Sequence, residues 1–230
     1  MLVVVKGMWC MLRKYNKAFF IKTLILVFII MLTLPQVRVI IESYYIKYFT
    51  IVKIEDTIPS PLSLKISYFA KEQIGITTSY DGSYKTISYP NGDIDISTGV
   101  CTDVIIRALR KVNIDLQQLI HEDMILDFKS YPNYGLLKPD YNIDHRRVLN
   151  IKTYFKKQGY SLTITKNESN YKPGDIVTWK SLGRDHIGIV SNIKVKWSNR
   201  YHIVHNAYKG TELSDWLNMG KVTGHYRVYN

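Results

Sequence analysis

The chain has 230 residues, 46% of them hydrophobic, which fits one folded domain plus a short extra segment and excludes a disordered protein. Two cysteines are too few for a disulfide framework or a cysteine-rich zinc site. The net charge is +12, but the first 22 residues supply five basic residues and no acid, leaving +7 for the rest. Because this excess is dispersed and no nucleic-acid-binding motif is present, we expect no nucleic-acid partner.

The N-terminal part has the pattern of an export segment. Residues 23–34 (TLILVFIIMLTL) are uncharged, follow a basic stretch and are closed by Pro35. Since no small-residue cleavage motif follows, residues 1–35 are predicted to form an uncleaved signal anchor in the inner (cytoplasmic) membrane. A cleaved signal is the alternative. Both interpretations place the domain in the periplasm, outside the cytoplasm.

The next part of the chain predicts a connector and then a helical region. Residues 36–65 contain the turn-prone IPSPLS and are assigned as the connector, and residues 66–230 as the domain. Residues 76–97 alternate Thr, Tyr and Ile with turn residues, which predicts two short strands or an ordered loop. Helices are predicted from residue 66 with Gly75 as a stop, over 100–112, over 116–127, and over 146–158 before Gly159.

The period of the sequence changes after residue 159. Short β-branched and aromatic segments follow one another, separated by turn residues: TITK, DIVTW, HIGIVSNIKVKW, YHIVHNAY and GHYRVY. Helices first and strands afterwards favour an α+β domain, not a parallel βαβ fold.

Cys101 is the candidate nucleophile, because it lies at the start of the clearest predicted helix. Unpaired backbone N–H groups and the helix dipole favour an anion there, so this position predicts a lowered thiol pKa. The alternative is a small buried cysteine with a packing role only.

A nucleophilic cysteine needs a base, and the base needs an orienting partner. His186 opens the predicted strand HIGIVS. In YHIVHNAY the alternation puts His205 on the same face as Ile203 and Ala207, which predicts that it points inward beside His186. A hydrogen-bonded core histidine is the alternative for His205, and Asn206 is the alternative orienting residue.

Seven motifs, in order, resemble a bacterial family described as domain of unknown function 1287, over about residues 66–230. They are Y-D-G, G-V-C-T-D-V, N-I-D-H-R-R-V, P-G-D-I-V-T-W, D-H-I-G-I-V-S, V-H-N and T-G-H-Y-R-V. That family is similar to the NlpC-type papain-like cysteine peptidases and amidases of the bacterial cell wall. The resemblance implies a papain-like NlpC-type fold, with N-terminal helices packed on a C-terminal antiparallel sheet. It also implies Cys101 as nucleophile, His186 as base and His205 as orienter.

Substrate-binding residues are assigned around this constellation. NlpC-type peptidases usually carry Asp before the cysteine, where this chain has Val100, so the bond cleaved is not inherited from the resemblance. Tyr80 and Asp81 are candidates to bind the substrate in place of that Asp, and the alternative is that they only form a turn. His145 and Arg146 are candidates to bind a substrate carboxylate.

The reaction expected from these residues is amide hydrolysis through an acyl-enzyme, without a cofactor or a metal. Peptidoglycan, an anionic polymer outside the membrane, is the expected substrate of this basic exported domain, which we expect to be a monomer. Two alternatives stay open: a thiol-dependent acyltransferase or esterase acting on lipid or protein, and a non-catalytic cell-wall-binding module.

The anchor can be tested by topology. An alkaline phosphatase fused after Asn230 should be active in cells, because residues 1–22 should stay in the cytoplasm while the domain is exported. The same fusion lacking residues 1–35 is the control and should be inactive. A full-length chain recovered from the cytoplasm without membrane would contradict the prediction.

Overall fold

The structure is a computed structural model that describes residues 61–229. The predicted anchor over residues 1–35, with Cys10, and nearly all of the connector lie outside the described residues. Among the helices of residues 61–229, none is both long and apolar enough to span a bilayer.

Four α-helices occupy the first half of the described chain. Each buries apolar side chains: Ile66 and Ala70 in the first helix, for example, and Val104, Ile105 and Leu109 in the second. The second, third and fourth helices confirm the predicted ones to within two residues at each end. The helices are α1 (Leu62–Lys71), α2 (Cys101–Arg110), α3 (Leu116–Leu126) and α4 (Val148–Lys157).

The first helix begins earlier than predicted. It starts at Leu62, directly after Pro61, inside the segment that was interpreted as a turn. Proline is tolerated at a helix N-terminus, where its missing N–H would have no intrahelical partner, so the proline-rich segment leads into the helix. The predicted stop, Gly75, has φ +81° and lies in the turns that follow Lys71.

The region between α1 and α2 is mainly an ordered loop. Two residue pairs, β1 (Ser79–Tyr80) and β2 (Thr98–Gly99), form a parallel ladder, with Tyr80 opposite Gly99. The buried Arg107 of α2 holds the loop by donating to the carboxylate of Asp93 and to the backbone oxygen of Thr98. Helix α2 and β2 are therefore fixed together immediately before Cys101.

The second half is one antiparallel sheet of five strands, in the order β6-β5-β4-β3-β7. TITK forms no strand, whereas TELS, which had not been predicted, forms the edge strand. The α+β prediction is confirmed. The strands are β3 (Ile176–Ser181), β4 (Arg184–Lys194), β5 (Tyr201–Asn206), β6 (Thr211–Ser214) and β7 (Lys221–Tyr226).

The central strands are buried on both faces. Consecutive residues of β3, Ile176 to Trp179, have no exposed surface, and α1 and α2 pack against β4. An apolar cluster around Trp179 includes side chains from β4, β5 and the segments flanking the sheet: Tyr171, Val177, Val190, Ile203 and Leu217. Because β4 lies between this cluster and the helices, its side chains have little freedom to shift.

A buried carboxylate joins the two ends of the sheet region. Asp175 accepts hydrogen bonds from His225 Nε2 (2.8 Å) and from Arg227 Nε (2.6 Å) and is fully buried. Burial by itself would raise the pKa of Asp175, but the bonds from His225 and Arg227 hold it below its ordinary value. The motifs P-G-D and T-G-H-Y-R-V therefore meet in one structural network.

Replacing Asp175 with Ala should lower the free energy of unfolding by about 3 kcal/mol at neutral pH, because the charge of Arg227 is left unpaired and the N–H donors of Arg227 and His225 lose their acceptor. Urea denaturation measures it. The difference in free energy of unfolding between the variant and the unmodified chain should have its full size above about pH 4. It should disappear as the pH falls through the lowered pKa of Asp175. Asp127→Ala, which removes an exposed carboxylate paired with Lys157, is the control and should have a much smaller effect. Equal losses for the two variants would contradict the prediction.

Candidate active site

Cys101 is the first residue of α2 and has 5% of its surface exposed. Val100 precedes it in extended conformation, and the carboxylate of Asp103, in the first turn, accepts the Val100 N–H at 2.7 Å. This bond fixes the point at which the chain enters the helix. The thiol is therefore held at the helix N-terminus, as the sequence predicted.

The carboxylate that caps the helix is itself part of a buried ion pair. Arg146 donates to both oxygens of Asp103, each at 3.0 Å, and both side chains are almost fully buried. The same guanidinium donates to the backbone oxygens of Asp81 and Ser83. Arg146 thus ties the Y-D-G turn and the start of α2 together.

This position corrects the assignment of Arg146 and His145 as substrate-binding residues. The hydrogen bonds of Arg146 are taken by Asp103 and backbone oxygens, and His145 is 2% exposed. Burial, with the positive charges of Arg146 and Arg110, lowers the pKa of His145 to about 3, so its ring is neutral. The burial of His145 and Arg146 depends on tertiary packing, which cannot be predicted from the cluster of basic residues in N-I-D-H-R-R.

The two histidines predicted to act together are in contact. His186 Nε2 lies 3.0 Å from His205 Nδ1, with the rings nearly perpendicular at 89°. His205 has no exposed surface and His186 has 8%. Trp216 packs against both rings, with centroid distances of 5.2 Å to His186 and 4.4 Å to His205. The two rings are therefore held against each other by a hydrogen bond and by the packing of Trp216.

The thiol and the histidine pair meet at strand β4. The backbone N–H of Ile187, the residue after His186, lies near enough to the Cys101 sulfur to lower the pKa of the thiol. The next residue is Gly188, where a Cβ atom would come within 2.5 Å of the Ile203 side chain and 3.2 Å of His205 Cβ. The absence of a side chain at Gly188 therefore permits β5 to bring His205 beside His186.

Burial has the largest effect on the pKa values of Cys101 and His186. It raises the pKa of the Cys101 thiol to about 12, against the opposing effect of N–H groups from Ile187, Thr102 and Cys101 itself. The Asp103 carboxylate raises the thiol pKa further. Burial also lowers the pKa of His186 to about 4. At neutral pH both groups are uncharged in the free protein, because burial outweighs the lowering of the thiol pKa by the N–H groups at the helix start.

Tyr80 and Asp81 have different surroundings. Tyr80 is 46% exposed and pairs with Gly99, two residues before Cys101, and its pKa is raised by burial and then by negative charge at Cys101 and Asp103. The Asp81 carboxylate accepts the Ser83 N–H at 2.9 Å and lies 3.6 Å from the Lys85 ammonium, so it stabilises a turn. The structure brings Tyr80 to the site but directs Asp81 into the turn.

Asn206 is directed away from the histidine pair. Its side-chain amide donates to the backbone oxygens of Gly99, at 2.9 Å, and Ser79, at 3.2 Å. It therefore attaches β1 and β2 to β5. The structure places His205, and not Asn206, against His186.

Sequence reasoning missed two further residues, Ser214 and Trp216. The Ser214 hydroxyl lies 2.6 Å from His205 Nε2, and Trp216 packs on both rings. The alternation in T-E-L-S after Gly210 is the available signal for this strand, but four residues are a short pattern. Across residues 61–229, no group of three or more His, Cys, Asp or Glu side chains is arranged to hold a metal ion.

Helices followed by an antiparallel sheet define an α+β protein, in which the buried Cys101 begins α2 and a histidine pair joins β4 and β5. The chain belongs to the family described as Domain of unknown function (DUF1287), whose model matches residues 67–228. The family resemblance read from the seven motifs is thereby confirmed.

One relative and one solved structure are similar to the chain. "Uncharacterized protein YijF" of Escherichia coli (strain K12) is 43% identical over 169 residues, which span 73% of this chain and 82% of the relative. An N-acetylmuramoyl-L-alanine amidase from Bacteroides uniformis ATCC 8492 is 14% identical, with a TM-score of 0.41, over 72% of this chain and 97% of that chain. The similarity to the second protein is too low to indicate what reaction this chain catalyses. Any proposal about its reaction must rest on the residues of its own site.

The neutral resting state predicts the pH dependence of thiol alkylation. In a Cys10→Ser background, iodoacetamide should label Cys101 at a rate that keeps rising with pH beyond pH 9, because the pKa of the thiol is raised. Mass spectrometry of the Cys101 peptide gives the rate, and free cysteine is the control. A rate that is constant from about pH 5 to pH 8 would reveal a preformed thiolate–imidazolium pair and contradict the prediction.

Proposed function

We propose that this chain is an exported cysteine amidohydrolase of the papain-like NlpC type that cleaves an amide bond in peptidoglycan through an acyl-enzyme. One set of observations carries the proposal: Cys101 lies at a helix start, the backbone N–H of Ile187 lowers the pKa of its thiol, and the ring of the preceding residue, His186, is held by His205 at 3.0 Å. A nucleophile, a base and an orienting group are the parts that acyl transfer requires.

The ring nitrogens of His186 have separate tasks in this mechanism. Nε2 is engaged with His205, so Nδ1 is the nitrogen that accepts the thiol proton. The sulfur then attacks the amide carbonyl carbon, and the oxyanion is met by N–H groups at the start of α2. His186 returns the proton to the leaving amine, and later takes one from the water that releases the acyl group.

Burial determines when the charges appear. The pKa of the thiol is raised to about 12 and that of His186 is lowered to about 4, so a separate thiolate and imidazolium are costly in the free enzyme. Proton transfer therefore accompanies the formation of the carbon–sulfur bond. The polar groups that stabilise the developing charge are fixed in advance and lie in a site with little water.

The substrate side of the proposal rests on export, charge and the surroundings of the thiol. A basic domain outside the membrane meets peptidoglycan as an anionic polymer, and the predicted anchor keeps the domain at the membrane surface. Asp103 is paired with Arg146 and Val100 is apolar, so neither provides a free carboxylate beside Cys101 for a substrate amine. Tyr80, half exposed and paired with Gly99 just before Cys101, is the side chain best placed to contact the substrate.

The nucleophile and the base should be indispensable. Cys101→Ala and His186→Ala should each remove turnover, because the first deletes the attacking atom and the second the proton carrier. Mass spectrometry of muropeptides after incubation with the full chain measures the reaction, and Cys10→Ser is the matched control that should remain active. Turnover by Cys101→Ala would refute the cysteine mechanism. Transfer of the acyl group to an alcohol or amine instead of water would identify an acyltransferase.

The orienting residue should tolerate partial replacement. His205→Asn and His205→Gln should retain measurable activity, and His205→Ala less, since a side chain that accepts a hydrogen bond from His186 Nε2 preserves its orientation. Asn206→Ala is the control from the same strand and should retain more activity than His205→Ala. The opposite order would move the orienting role to Asn206 and overturn the assignment of His205.

A further inference from the structure

We propose that Ser214 is a positioning residue of the site, which fixes the tautomer of His205 and through it the basic nitrogen of His186. The inference rests on the proposed function, because it names the group that keeps His186 ready to accept the thiol proton. It adds a fourth residue to the proposed group of Cys101, His186 and His205.

The contacts follow from the pairing of the last strands. In the β5–β6 ladder His205 lies opposite Glu212, and Ile203 lies opposite Ser214. Residues 203, 205, 212 and 214 therefore share one face of the sheet. His205 Nε2 lies 2.6 Å from Ser214 Oγ, while Nδ1 lies 3.0 Å from His186 Nε2. With no exposed surface, the His205 ring has protein partners on both nitrogens.

Two proton arrangements are compatible with these distances, and only one leaves a base beside the thiol. In the productive one, His205 Nε2–H donates to Ser214, and His205 Nδ1 accepts the proton of His186 Nε2–H. His186 Nδ1 then has a free lone pair. In the reverse arrangement every proton lies on the other nitrogen, so His186 Nδ1 carries a hydrogen and cannot act as a base.

The surroundings of His205 Nε2 favour the productive arrangement. Glu212 Oε1 lies 3.9 Å from this nitrogen, on the same side as Ser214 Oγ. A carboxylate only accepts hydrogen bonds and attracts the positive end of an N–H bond, so it favours a proton on Nε2. Trp216, with its ring centroid 4.4 Å from that of His205, restricts rotation of the imidazole.

Removal of the Ser214 hydroxyl should therefore change chemistry more than binding. In Ser214→Ala, kcat should fall about tenfold, the effect of one lost hydrogen bond, while KM stays within about twofold. Ser214→Thr keeps a hydroxyl at the same position and should restore most of the activity. Ser191→Ala is the matched control, because Ser191 is buried in the same sheet and its hydroxyl bonds to the backbone of Ile193.

The tautomers themselves can be read by NMR. The full chain, labelled with 15N-histidine and held in detergent, should show His186 and His205 as neutral Nε2–H rings at pH 7. His186→Gln and His205→Gln assign the signals. In Ser214→Ala the His205 signal should shift toward the Nδ1–H form, whereas Ser191→Ala should leave it unchanged.

Three results would overturn the inference. The first is an Nδ1–H ring for His205 in the unmodified chain, and the second is a Ser214→Ala variant with unchanged tautomers and unchanged kcat. The third is a Ser214→Ala variant with unchanged tautomers and a lowered kcat that Ser214→Thr does not restore. The unmodified chain tests the first of these even if Ser214→Ala does not fold. Expected tautomers in a chain without hydrolase activity would refute the proposed function and support the role of Ser214.

Discussion

The buried ion pair between Asp103 and Arg146 is the interaction on which the site depends. It joins the capped start of α2, the turn at residues 81–83 and the short helix Asp144–Arg146, three segments far apart in the chain. Removing two charges from water costs several kcal/mol per ion, so such a pair persists only with good geometry and further hydrogen bonds. The two 3.0 Å contacts, with the Val100 N–H and the backbone oxygens as further partners, meet that requirement. The ion pair therefore holds the start of α2, and with it Cys101, in a fixed position.

The same burial gives the site its resting state. A helix N-terminus is favourable for a thiolate, but here the loss of solvation outweighs it and the Asp103 carboxylate adds repulsion. The thiol and both imidazoles are consequently neutral, and the hydrogen bonds from His186 through His205 to Ser214 decide where the imidazole protons lie. A protonated thiol has the further consequence of slow oxidation, because the thiolate is the reactive form.

Much of this could be predicted from the sequence because the patterns were local. The apolar face of VCTDVIIRALRKV identified α2, and the period of two in YHIVHNAY pointed His205 toward His186, as the structure shows. The α+β order followed from the change of period after Gly159. These features depend on residues within one or two turns or strands of each other.

The rest depends on contacts between distant segments. Nothing near Arg146 in the chain indicates that its partner is Asp103, 43 residues away. The sequence therefore predicts a substrate-binding arginine where the structure has a buried ion pair. Ser214 lies on a four-residue edge strand whose pattern is too short to predict. The raised pKa of Cys101 is a consequence of full packing around α2 and β4, which no sequence window contains. Arg146 and Ser214 are positioned by the fold, not by their neighbours.

The central claim is that Cys101 carries the acyl group of the substrate during turnover. The most direct measurement is acid quenching of the full chain during cleavage of purified muropeptides, followed by mass spectrometry of the Cys101 peptide. The account predicts an added acyl mass on Cys101 that hydroxylamine removes, as expected for a thioester. Muropeptide cleavage that continues at an undiminished rate after complete carboxamidomethylation of Cys101 would contradict it.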